Sequence, residues 1–240
     1  MSRFKIYRFP AEPSIVGFIL FATILGAVSS KEINYIYFFL LVAIQLNLIF
    51  TIDNVYRAKR FFELPTIYAL ISNGIPYIAL SILDYDVLYS FIPLSLLLIL
   101  TIYSAIEYGR EHIFTNLIGT ISLGYMVITS SAIVGKITQL TVSTWVVYTF
   151  YLVISVLYIE ARLGKINDLP PVILANISFI IYYLLNPIYA ILSVDLNAKT
   201  LTHYISRNYI DKEKITKLGI SEMKRLLVFS IILIILTITS

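Results

Sequence analysis

Long apolar runs separated by short polar clusters make up nearly all of the chain, and two of them, "IVGFILFATILGAVSS" and "LLVFSIILIILTITS", contain no charged residue. Polar positions do not recur every three or four residues within these runs, as they would on a helix with one wet face. Nor do they alternate every second residue, as in a membrane β-barrel. A bilayer core about 30 Å thick takes about 20 helical residues, and the runs predict helical spans at about 14–30, 35–52, 66–82, 87–106, 117–135, 140–159, 171–197 and 223–240. The pattern predicts an all-α, polytopic transmembrane bundle of eight or nine segments, forming a single domain over 1–240.

Composition turns the helical reading into a membrane reading. The chain is 59% hydrophobic and 13% charged, with a mean hydropathy of +0.87, far from the balance of a soluble domain. The first apolar run follows "MSRFKIYRFPAEP" without a small-residue cleavage site, and we read it as a retained first helix. The net charge of +4 does not indicate nucleic acid, because the basic residues are spread through short connections between apolar runs. With no cysteine, disulfides and thiolate metal sites are excluded.

Charge sorts the connections into two sets. "KEIN", "LDYD" and "KITQ", after spans 1, 3 and 5, carry only Lys31 and Lys136 as bases, whereas the N-terminus and the connections after spans 2, 4 and 6 carry Arg3, Lys5, Arg8, Arg57, Lys59, Arg60, Arg110, Arg162 and Lys165. The positive-inside rule makes the second set, and the N-terminus, cytoplasmic in a multi-pass protein of the cell membrane. Residues 198–222 read as a basic extramembrane loop before the last span, too short to hold a core. A single span at 171–197 would put this loop outside. Asn186-Pro187 offers a resolution, since proline removes a hydrogen bond and clashes one turn back. Two short helices at 171–197 give nine segments and return the chain inside; one kinked helix gives eight.

Three charged loops hold the candidate chemistry. In "TIDNVYRAKRFFELP", Asp53, Arg57 and Arg60 would share a face if the helix of span 2 continued, with Asn54 beside them, and such a face can grip an anion. "EYGREHIFTN" contributes Glu107, Arg110, Glu111, His112 and Asn116, with Glu107 to Glu111 and His112 to Asn116 at i, i+4. "YIEARLGKINDLPP" contributes Glu160 and Arg162, with Lys165, Asn167 and Asp168 nearby; Gly164 and Pro170-Pro171 mark a helix stop and restart. Each loop also has a plainer reading as a helix end that meets lipid headgroups and sets orientation. Within the spans, Asn73-Gly74 with Pro76 predicts a break in span 3.

The series "PAEPSIVG", "VYRAKRFFELPTIYA", "EYGREHIFTNLIGTISLG", "WVVYTFYLVISVLYIEARL" and "KITKLGISEM" resembles the YwiC-like family of small polytopic membrane proteins. That resemblance implies a topology and no chemistry. A weaker likeness is to intramembrane prenyltransferases of the UbiA type, whose acid-rich loops after helices 2 and 6 hold magnesium and a diphosphate. It implies Asp53, Glu107, Glu111 or Glu160 on metal and Arg57 and Arg60 on diphosphate. Glu160 and Asp168 stand where that family has several aspartates.

Three functional expectations follow. The first is a membrane protein whose charged cytoplasmic loops bind a lipid headgroup, an anion or a protein subunit. The second is a magnesium-dependent lipid enzyme acting on a diphosphate. The third is a small-solute transporter whose helix breaks line the path.

Overall fold

The computed structural model describes residues 7, 10, 13–56, 58–210 and 215–240. Among these the chain is helical and contains no strand, apart from one isolated antiparallel bridge between Lys31 and Lys136. The helices are α1 (Pro13–Ser29), α2 (Tyr35–Tyr56), α3 (Leu64–Leu83), α4 (Tyr85–Glu107), α5 (Ile113–Val134), α6 (Gln139–Arg162), α7 (Leu169–Leu185), α8 (Ser193–Ser206) and α9 (Ile215–Thr239), with a 3-10 helix at Pro187–Leu192. Five of them, α2 to α6, are long and apolar enough to cross a membrane. The chain divides into two compact units, 1–142 and 143–240.

In the first unit α5 is central, buried along most of its length, with α1 and α4 packed on it. Small residues make this possible. A Cβ added to Gly26 of α1 would collide with the Val127 carbonyl oxygen and lie 2.6 Å from Ser130 Cβ, so only glycine lets the two backbones approach. Hydroxyls and amides link the other helices: Ser104 to Thr115 at 2.9 Å and Thr101 to Ser122 at 3.3 Å join α4 to α5. Asn47 donates to Asn73 at 2.9 Å, and Asn73 donates to Thr51 at 2.8 Å, joining α2 to α3. The connections after α1 and α5 are stitched at one end. The Lys136 amide donates to Ser30 Oγ at 3.0 Å, and Thr138 and Thr141 hydroxyls donate to the Ser29 carbonyl, each at 3.0 Å. Alternate connections of a serial bundle share a side, as this pairing requires.

The predicted break in span 3 does not occur. Helix α3 runs unbroken through Asn73, Gly74 and Pro76, and the Asn73 amide bonds back to the Ala69 carbonyl at 2.7 Å.

In the second unit, α6 ends because Gly164 takes a left-handed backbone, φ +68°. The Lys165 amide then donates to the Glu160 carbonyl at 3.0 Å and the Gly164 amide to the Ala161 carbonyl at 2.8 Å, closing the helix end. Helix α7 restarts at Leu169 with proline in its first turn. Asn186-Pro187 does break the next run. Helix α7 stops at Leu185, and Asn186 Oδ1 accepts from the Ile188 amide at 3.1 Å, starting the 3-10 turn. The 198–222 segment also differs from a plain loop: most of it belongs to α8 and the first turns of α9, and Lys199, Thr200, His203 and Glu222 are buried.

Candidate functional site

The second unit gathers its polar side chains from three helix faces. On α6, Tyr151, Ser155, Tyr158 and Arg162 follow at i, i+4, i+7 and i+11 and so form one stripe. On α8, Asp195, Lys199, Thr202, His203 and Ser206 form another. The first turns of α9 bring Glu222 and Arg225, three residues apart and therefore on one side.

Lys199 is held from all directions. Its ammonium lies 2.6 Å from Glu222 Oε2 and donates to Ser155 Oγ at 3.1 Å. It also sits 5.3 Å and 5.0 Å from the ring centroids of Tyr151 and Tyr158, within cation–π range. Burial pulls the lysine below its ordinary proton affinity, and the Glu222 carboxylate opposes that pull.

Asp168 stands at the start of α7, yet its side chain caps nothing. Instead the Leu169 amide bonds to Asn167 Oδ1 at 3.0 Å, which leaves the Asp168 carboxylate free for two other partners. Oδ1 lies 3.1 Å from His203 Nε2, and Oδ2 accepts from the Tyr209 hydroxyl at 2.9 Å. That bond raises the Tyr209 phenol above its ordinary value of 10.0. Tyr158 and Tyr209 both stand edge-on to the imidazole, at 88° and 89°.

These groups border a cavity of about 280 Å³, lined by Tyr158, Arg162, Asp195, Lys199, His203 and Arg225 among others. Lys199 is neutralised by Glu222. Arg225 approaches Glu222 at 3.6 Å and Asp195 at 3.9 Å, too far for a good hydrogen bond to either. Arg162 donates to the Tyr158 hydroxyl at 2.9 Å, and among the described residues no carboxylate pairs with it. Its Nε is buried without a hydrogen-bond partner, as is His203 Nδ1. The cavity therefore presents two guanidinium groups with unspent donors, a fork geometry suited to phosphate or carboxylate.

The sequence candidates fall differently. Asp53 and Asn54 lie buried on the last turn of α2, where the Asn54 carbonyl accepts from Thr66 Oγ1 at 3.3 Å. The face expected to join Asp53 to Arg60 does not form, because α2 ends at Tyr56 and Arg60 lies exposed in the following bend. Arg57 lies outside the described residues. Glu107 ends α4 and Glu111 lies beyond it, so the pair does not share a helix; Gly109 turns the chain with φ +89°. Arg110 occupies the same turn. His112 caps α5, its Nδ1 accepting from the Phe114 amide at 3.3 Å, and its ring stacks against Tyr108 and Phe114. Asn116 follows in the first turn of α5, its amide bonded to the His112 carbonyl at 3.1 Å. In the second unit Glu160 is buried and pairs with Lys165 at 3.0 Å. Arg162 alone of the candidates lines the polar cavity.

The residues that sequence reasoning passed over are Asp195, Lys199, His203, Glu222 and Tyr158. A signal was present: Asp195, Lys199 and His203 repeat at i, i+4 and i+8, a charged stripe that one helix would place on one side. Among the described residues no three histidine, aspartate or glutamate side chains gather as a metal site. A second cavity, of about 410 Å³, lies in the first unit and is almost wholly apolar, with Phe61, Leu94 and Met126 in its wall and Asn73 its chief polar group.

No protein-family description, curated protein or solved structure matches the chain.

Proposed function

We propose that this is a multi-pass protein of the cell membrane, with eight or nine membrane segments and a cytoplasmic N-terminus, and that the polar cavity of residues 143–240 binds the phosphate of a lipid headgroup. The observation that carries the reading is the pair of guanidinium groups at the cavity: Arg162 meets no carboxylate among the described residues, and Arg225 reaches Glu222 and Asp195 only at ion-pair distances of 3.6 and 3.9 Å. Lys199, the third cation, is already matched by Glu222.

Position supports the same ligand. Arg162 ends α6, one of the helices long and apolar enough to cross a membrane, and Arg225 immediately precedes the uncharged run of α9. Both guanidiniums thus stand where apolar helix gives way to polar chain, the depth at which headgroups lie. Orientation follows from the basic residues of the N-terminus and of the connections after α2, α4 and α6.

Prenyl transfer and solute transport receive no comparable support. Of the two helix breaks expected to line a transport path, the one at Asn186-Pro187 is present and the one in α3 is absent.

Native mass spectrometry of protein extracted from its own membranes tests the proposal. Wild type should carry a phosphate-bearing lipid through desolvation, and Arg162→Gln combined with Arg225→Gln should emerge without it. Equal lipid retention by the two would refute the site.

A further inference from the structure

The cavity holds one group that a bare phosphate does not use. His203 is buried, at 2% exposure, and its Nε2 faces the Asp168 carboxylate at 3.1 Å. In the neutral ring the carboxylate takes the hydrogen at that nitrogen, which leaves Nδ1 with a lone pair. Nδ1 is buried and unpartnered, although the ring lines the cavity. Tyr209 completes the support by holding the other oxygen of Asp168. Tyr158 lies between the two ends of the site, its hydroxyl on Arg162 and its ring against His203.

A buried acceptor without a donor costs free energy until a ligand supplies one. We infer that the ligand is a hydroxyl-bearing phosphate, its phosphate held by Arg162 and Arg225 and one of its hydroxyls donating to His203 Nδ1. This rests on the phosphate-binding reading above and narrows it from any anionic headgroup to a polyol phosphate. Sites that hydrogen-bond a hydroxyl discriminate strongly against analogues lacking it, because their own polar groups are then left unpaired.

The test compares headgroups that share a phosphodiester and differ beyond it. The full-length protein is placed in nanodiscs of uncharged lipid and titrated with phosphatidylglycerol, phosphatidylethanol and phosphatidylethanolamine. A parallel arm uses soluble sn-glycerol 3-phosphate against ethyl phosphate. The glycerol headgroup should bind about tenfold more tightly than the ethyl one. His203→Gln, whose amide reaches the Nε2 position and keeps the Asp168 bond, should bring the two affinities within about threefold of each other. If that variant does not fold, the wild-type ratio alone decides.

Equal binding of the glycerol and ethyl headgroups overturns this inference and leaves the phosphate site standing. A preference for ethanolamine also overturns it, assigning the extra contact to a cation instead. Binding of none of the probes defeats the phosphate reading itself. The same ratio in the soluble arm upholds the hydroxyl chemistry and identifies a free polyol phosphate as a sufficient ligand; a ratio seen only with the lipids upholds it for the headgroup.

Discussion

The Lys199 ammonium lies 2.6 Å from the Glu222 carboxylate, with side-chain exposures of 1% and 8%. The pair ties α8 to α9 and matches the lysine's charge. Removing one member of such a pair leaves the other charged and buried, at a cost of about 3–5 kcal/mol, whereas replacing both with apolar groups is often neutral. Lys199→Met should therefore lose stability of that order. Adding Glu222→Leu should restore most of it. Thermal unfolding in detergent reads both, and an additive loss in the double variant would show that the pair is not coupled.

Tyr209 makes stability sensitive to alkali. Its bond to Asp168 raises the folded phenol above its ordinary value of 10.0. The folded state thus holds this proton more tightly than the unfolded chain. The contribution is fully present below pH 10.0 and is lost as the pH rises through the folded value. Tyr209→Phe should be less stable than wild type at neutral pH, and the difference should shrink as the pH passes 10. A difference that stays constant up to the most alkaline point would mean that the hydroxyl bond carries no stability.

Two glycines should behave oppositely. Gly26→Ala drives a methyl group against the backbone of α5, which cannot yield as a flexible side chain would, and should cost about 1–3 kcal/mol. Gly219→Ala in α9 meets nothing within 4 Å and should gain up to about 1 kcal/mol from helix propensity. Melting temperatures of the two variants check this, and a neutral Gly26→Ala would contradict the close approach of α1 to α5.

The helices were legible where one rule sufficed. Apolar runs bounded by Lys31, Asp84 or Lys136 located α1, α4 and α6 because in a membrane-like chain length and hydropathy speak for themselves. Gly164, Pro170 and Pro171 marked the α6–α7 turn because each restricts the backbone in a known way. Pro76 misled, since a membrane helix accommodates proline when its neighbours satisfy the freed groups.

The site was harder to read. Charge density drew attention to Asp53, Glu107 and His112, but density along the chain does not say which residues a fold brings together. Helix ends at Tyr56 and Glu107 separated the first two clusters. Lys199 and His203 looked like part of a soluble loop because their partners, Glu222 and Asp168, lie 23 and 35 residues away. Only the pairing of α8 with α6, α7 and α9 gives those positions meaning.

The central claim is that the guanidiniums of Arg162 and Arg225 bind a phosphate, and one titration tests it most directly. Phosphatidylglycerol is added to three proteins in nanodiscs of uncharged lipid: wild type, Arg162→Gln with Arg225→Gln, and Lys217→Gln with Lys224→Gln, which removes equal charge from exposed positions of α9. The predicted result is saturable binding by wild type and by the surface variant, with affinity at least about tenfold lower when both cavity arginines are gone. Equal weakening of the two variants, or no saturation in wild type, would contradict it.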